Sequence, residues 1–163
     1  MKKFTLLFAL FISGIAFSQN KETASINTTL DAWHKAAAQA KFEAYFSLMA
    51  DQSVFIGTDA TENWDKPAFM AFAKPYFDKG KAWNFTPLER HIYFDASGKT
   101  AWFDELLDTQ MKICRGSGVL VKEGNQWKIK HYVLSMTVPN DNSDAVVKIK
   151  TLLEDPLIQK LKK

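Results

Sequence analysis

Cysteine is nearly absent from this chain. Cys114 is the single one in 163 residues, so no internal disulfide can form and the fold must be held by packing. The three histidines show no His-x-x-x-His spacing and have no cysteine cluster beside them, so no metal site is indicated. Gly116-Ser117-Gly118 is followed by no Gly-Lys-Ser/Thr and does not have the form Gly-x-Ser-x-Gly. That excludes a phosphate-binding loop and a hydrolase nucleophile elbow. No basic block interleaved with aromatics occurs, which leaves nucleic-acid binding without support. The long apolar run, Phe4 to Ile12, is about half of the roughly 20 residues that a membrane-spanning helix needs. Repeats, low-complexity tracts and interdomain linkers are missing too, and nothing calls for a cofactor.

What is present begins with an export signal. Lys2 and Lys3 precede that apolar run, and Ala16-Phe17-Ser18 supplies a small-x-small cleavage site, so residues 1–18 read as a signal peptide. The expectation is an exported protein, periplasmic or secreted, that starts at Gln19 and has no membrane attachment after cleavage. Losing Lys2 and Lys3 leaves 19 Lys and Arg against 18 Asp and Glu, a net charge of +1. The remaining length suits one domain with a sizeable core, and 13 Phe, 5 Trp and 4 Tyr are available to fill it.

The periodicities give an order of elements. Thr28 followed by Asp31 has the form of a capping box, and Ile26, Leu30, Trp33, Ala37 and Ala40 then recur at helical spacing. A second helix carries Phe42, Tyr45, Phe46 and Met49. A strand at 53–57 and a loop at 58–64 follow. Asp65 caps a third helix with Pro67 in its first turn and Gly80 at its end. Strands are expected at 83–94 and 100–108, followed by a hairpin that turns at Glu123-Gly124-Asn125. Pro139 closes the last strand. Asn142 or Ser143 then opens an amphipathic helical tail at 145–154, broken at Pro156. The expected class is α+β, with helices on one face of an antiparallel sheet that curls into a cone.

Strand alternation along the hairpin predicts a polar pocket. Trp127, Ile129, His131, Val133 and Ser135 share one face, and if Val121 joins Trp127 there, Val119, Ser117 and Arg115 come with it. Burying such polar groups unpaired costs roughly 1–3 kcal/mol each, so a pocket explains them better than plain packing does. His131 is the first acid–base candidate, against the plainer reading of a core histidine satisfied by a carbonyl. Arg115 would bind an oxyanion or pair with an acid. Cys114 falls on the opposite parity and reads as a bystander.

The stretches DAWHKAAAQAKFEAYFSLMADQSVFIGTDATE, FAKPYFDKG, AWFDELLD and GSGVLVKEGNQWKIKHYVLS carry a resemblance. Over roughly Ile26 to Pro139 the chain resembles the SnoaL-like branch of the nuclear transport factor 2-like (NTF2-like) superfamily. The resemblance implies a cone-shaped α+β domain at 26–139, its curved antiparallel sheet wrapped around three N-terminal helices. Residues 140–163 are left as a helical tail. It further implies an apolar interior for one small molecule, with a few acid–base groups at depth and no cofactor. Similar proteins include isomerases, dehydratases, hydrolases and non-catalytic association modules, and many form homodimers through the outer sheet face, where Trp102 and Leu106 would lie.

Within such a cone Glu105 is the natural partner for Arg115. On the strand at 101–107 either parity is open, Ala101, Phe103 and Glu105 inward or Trp102, Asp104 and Leu106 inward, and the first is favoured because Trp102 and Asp104 suit an outer face. Glu105, His131 and Arg115 are therefore the candidate catalytic set. Ser117 faces the same interior. Asp59 and Trp64 could reach a ligand from the rim, though a solvated turn aspartate is the plainer reading. His34 could enter from the first helix. Trp33, Phe55, Tyr76 and Phe103 are the candidate aromatic wall. The function expected is cofactor-free acid–base chemistry of the isomerase, lyase or hydrolase type on a small apolar molecule, and the alternative is a non-catalytic binding or dimeric association module.

Overall fold

Six strands form one curved sheet in the order β2-β1-β6-β5-β4-β3. A computed structural model describes the backbone of residues 2–162 and the side chains of residues 20–162, so the side chains of the expected signal segment lie outside the described residues. Along the chain come α1 (Lys2–Ala38), α2 (Phe42–Ser47), β1 (Met49–Ile56), β2 (Asn63–Asp65) and α3 (Lys66–Asp78). Then follow β3 (Thr86–Phe94), β4 (Thr100–Thr109), β5 (Lys112–Glu123), β6 (Gln126–Met136) and α4 (Ser143–Leu161). Among the described residues no helix is long and apolar enough to cross a membrane.

The α+β class and the curved sheet are as expected, but four local expectations are corrected. Helix α1 does not start at Thr28: it runs straight through, and the Thr28 hydroxyl donates to the Ala24 carbonyl at 2.9 Å, as a mid-helix threonine does. The loop expected at 58–64 contains β2, whose Trp64 pairs with Phe55. The sheet is not wholly antiparallel, because β1 lies parallel to β6. The chain makes α3 and the β3–β5 meander before β6 returns to the centre, and such a long crossover is what a parallel pair requires. Finally α4 continues past Pro156 to Leu161. The proline removes one backbone donor but does not end the helix.

Other elements form where their residues direct. Asp65 caps α3, its carboxylate accepting from the Ala68 N–H at 2.9 Å, and proline follows in the first turn. The sheet's concave side buries α1, α2 and α3 through an aromatic core. Phe55 stacks on Phe69 with centroids 4.0 Å apart, and Trp33 stacks on Tyr45 at 4.8 Å. Fully burying a ring of this size contributes on the order of 1.5–3 kcal/mol. Glu22 ties the early part of α1 to the β5–β6 hairpin, accepting from Lys122 Nζ at 2.6 Å and from Trp127 Nε1 at 2.7 Å.

Candidate active site: a buried carboxylate and its partners

Strand β4 alternates cleanly. Ala101, Phe103, Glu105, Leu107 and Thr109 point inward, while Trp102 is 46% exposed on the other side. Glu105 is thus carried into the core, where it is 1% exposed. An ionised carboxylate survives there only with partners, and it has three, His34, Tyr132 and Arg90. Its Oε1 accepts from His34 Nε2 at 2.8 Å and from the Tyr132 hydroxyl at 3.2 Å. Its Oε2 accepts from Arg90 Nε at 2.9 Å. Arg90 Nη2 lies 2.8 Å from the same oxygen but off the hydrogen-bond direction, an ion-pair contact rather than a second hydrogen bond. Arg90 Nη1 then reaches out to Asn27 Oδ1 at 3.0 Å and Asp31 Oδ1 at 2.9 Å.

Four elements build this cluster. Asn27, Asp31 and His34 fall at i, i+4 and i+7 on α1 and so form one line on its surface. Arg90 and Glu105 are directly opposite on β3 and β4. Tyr132 enters from β6, and its ring is edge-on to Trp33 at 4.7 Å. Phe103 and Phe85 close the surround, Phe103 6.0 Å from the Tyr132 ring and Phe85 6.1 Å from the His34 ring.

Opposing effects act on the Glu105 carboxyl. Burial pushes its pKa up, but the hydrogen bond and charge of His34, joined by Arg90, outweigh burial and hold it below the ordinary carboxylate range. Burial, reinforced by the neighbouring Glu105 charge, pushes the Tyr132 phenol well up, so it stays neutral and donates. Because a carboxylate only accepts, the neutral form of His34 carries its proton on Nε2, which leaves Nδ1 as the free acceptor. Nδ1 has no hydrogen-bond partner among the described residues. Trp33 Nε1 is a second buried group without one.

The candidates read from sequence divide into two groups. Glu105, His34, Trp33, Phe55 and Phe103 come together in the interior. Trp64 and Tyr76 continue the aromatic series outward, Trp64 stacking on Phe72 at 4.5 Å and Phe72 lying 5.5 Å from the 48%-exposed Tyr76. Asp59 is exposed in a turn, and its carboxylate accepts from the Thr61 hydroxyl at 2.6 Å and the Thr61 N–H at 2.8 Å. Those two bonds hold its pKa down. The inward placement of Arg115, Ser117 and His131 is corrected. Arg115 is exposed, Ser117 and His131 are half-buried, and all three lie on the outer side of the sheet. Glu105 accordingly pairs with Arg90 and not with Arg115.

Two features cause that reversal. A bulge lies in β6, where Leu120 pairs with Ile129 but Val119 with His131, leaving Lys130 without a partner. The extra residue shifts the alternation, so Trp127 and Ile129 face inward before it, and Tyr132 and Leu134 after it. On β5 the inward residues are Cys114, Gly116, Gly118 and Leu120. A Cβ at Gly116 would collide with the Tyr132 hydroxyl and crowd Glu105, and one at Gly118 would meet Phe103 and the His131 carbonyl. Both glycines are there to make room, and a glycine leaves no apolar signal.

Arg90 and Tyr132 are the residues that sequence reasoning missed. Arg90 was within reach: counting rungs from Phe94–Ala101 leads to Arg90–Glu105 without crossing the β3 irregularity at 87–89. Tyr132 was not, since its facing depends on the bulge.

With this geometry in hand, comparison with known proteins is direct. The SnoaL-like domain profile matches residues 26–139. The chain belongs to the SnoaL-like domain family. No curated protein sequence matches it. Among solved structures, this SnoaL-like chain is similar to a dehydratase candidate of the NTF2-like family from Streptomyces avermitilis. The two are 13% identical with a TM-score of 0.64, over 74% of this chain and 99% of that one. It is also similar to a scytalone dehydratase candidate from Novosphingobium aromaticivorans, at 13% identity and TM-score 0.64, over 76% and 89% of the two chains. A third, a candidate calcium/calmodulin-dependent protein kinase II association domain from Xanthomonas campestris, is 16% identical with a TM-score of 0.53, over 69% and 85%. At these identities the likeness establishes the NTF2-like fold.

Proposed function

We propose that this SnoaL-like domain binds a small, largely apolar molecule carrying a carbonyl or hydroxyl group and moves a proton on it without a cofactor, with His34 as the proton-transferring group. The observation that carries this reading is the buried His34–Glu105 pair inside an aromatic shell. Glu105 has both oxygens occupied and its pKa held down. It therefore fixes the tautomer and direction of His34 rather than taking a proton itself. Arg90 and Tyr132 keep Glu105 ionised and in place. The unpartnered Trp33 Nε1 offers a donor for a ligand oxygen. Dehydratase candidates among proteins of this fold agree with acid–base chemistry as a class. Since His34 is 4% exposed and Phe85 7%, a ligand reaches His34 only when the side chains around it move. Export, with mature protein starting at Gln19, is part of the same proposal.

A thermal-shift screen against small ketones, lactones, epoxides and aromatic acids tests it. A ligand at a hundred times its Kd adds about 2.7 kcal/mol, an easily measured shift. Turnover of a hit should disappear in His34→Asn protein while its binding persists. Loss of turnover only when the fold is lost would remove the catalytic assignment. A flat response from a cooperatively melting protein would favour the second reading, a non-catalytic association module. The observation on that side is the saturation of Glu105, whose oxygens are all engaged within the protein.

A further inference from the structure

Helix α4 lies beyond the matched family domain and follows directly on the turn at Asn140–Asn142. Ile149, Leu152 and Leu153 stand on one side of it and are 74%, 84% and 80% exposed. A helix of 19 residues with a proline inside has little stability of its own in water, and an apolar side left wet adds nothing to it. The convex face of the sheet has the same defect. Tyr93 and Trp102 stack at 5.9 Å and are each 46% exposed, and Ile113 is 48% exposed. Across the sheet, Tyr93, Trp102 and Val119 lie on successive paired positions, so the apolar row runs from β3 to β5 and ends at His131 on β6.

We infer that α4 lies across the convex sheet face of a second copy of this chain, each copy clasping the other about a two-fold axis. Within one chain the two surfaces leave each other exposed although they are joined by the short stretch 137–142. A second copy is the occupant that carries both missing halves, and an isologous arrangement covers both at once. Charge supports it. The outward run of β4 alternates Trp102, Asp104, Leu106 and Asp108, while Lys148 flanks the apolar side of α4. Size supports it as well. A stable interface takes roughly 20–30 residues a side, more than a 19-residue helix offers alone, and the helix plus the outward residues of four strands reaches that range.

The test is the oligomeric state of the purified protein by sedimentation equilibrium and light scattering. The expected species is a dimer. Leu152→Glu/Leu153→Glu and Trp102→Glu should each weaken it at least about thirty-fold, as hot-spot losses do. All of these residues are exposed, so far-ultraviolet circular dichroism and cooperative melting should be unchanged. Mixing the two defective variants should restore part of the association, because the intact helix of the Trp102→Glu copy can dock on the intact sheet of the other. A mixture that stays monomeric, or a dimer indifferent to Leu152 and Leu153, would overturn the clasp. So would wild-type protein that is monomeric at about 100 µM, or one that places α4 on vesicles of phosphatidylglycerol instead.

Discussion

The concave and convex faces of this one sheet treat their difficult residues in opposite ways. The concave face holds a carboxylate, a guanidinium and a phenol, α1 brings an imidazole to them, and each has a partner within the protein. The convex face holds Tyr93, Trp102 and Ile113, which are safe in water but left uncovered. A polar cluster inside an apolar core and an aromatic row left on the surface are both exceptions to the usual distribution. A buried ion cluster contributes little net stability against a well-packed apolar replacement, yet removing one member is expensive. An uncovered aromatic row costs the monomer almost nothing and becomes useful only when something covers it. The inner face is thus sensitive to substitution in the isolated chain, and the outer face in the assembled one.

The largest break in that comparison should come from Glu105→Ala. It leaves Arg90 and His34 facing each other without the anion between them, and should cost about 3–5 kcal/mol in denaturant melts. The same variant should alter the acid limb of stability. The folded-state pKa of Glu105 lies below its ordinary value of 4.5, so its contribution is in full above 4.5 and is lost as pH falls through the folded value. Wild-type stability should therefore drop on acidification through a component that Glu105→Ala lacks. A stability loss under about 1 kcal/mol would show the cluster to be dispensable.

Gly116→Ala ranks next. One methyl placed against the Tyr132 hydroxyl and Glu105 should cost about 1–3 kcal/mol by overcrowding. Smallest is Arg115→Ala, one position along the same strand on the convex side, where the change should stay within about 0.5 kcal/mol. Equal effects of these two adjacent substitutions would erase the contrast between the faces.

How far the sequence discloses this arrangement differs from strand to strand. On β4 the alternation is unbroken, since bulky apolar groups at 103 and 107 flank Glu105 with Trp102 outside, and the facing can be read from spacing alone. On β5 the inward positions include two glycines, so the wall of the interior is written in residues that carry no hydrophobic signal. On β6 periodicity fails at Lys130, because alternation presumes a regular ladder and cannot register an extra residue. On α1 a threonine and an aspartate at capping-box spacing lie mid-helix, because the helical pattern upstream of them overrides the local signal. The fold survives such local errors, since it depends on the order of elements. The site does not, because each error moves a side chain to the other side of the sheet.

The bulge at Lys130 also bears on how this strand can change length. Excising Lys130 would restore strict alternation and leave Trp127, Ile129, Tyr132 and Leu134 all pointing inward as they do now. Excising His131 would do the same, with Lys130 taking its place opposite Val119. A one-residue gap anywhere between Ile129 and Tyr132 is therefore silent in the interior. A gap one step further on would turn Leu134 outward and put Ser135 in its place. Kin of different length can keep one interior while their linear numbering disagrees, so residues of this strand correspond by facing rather than by count.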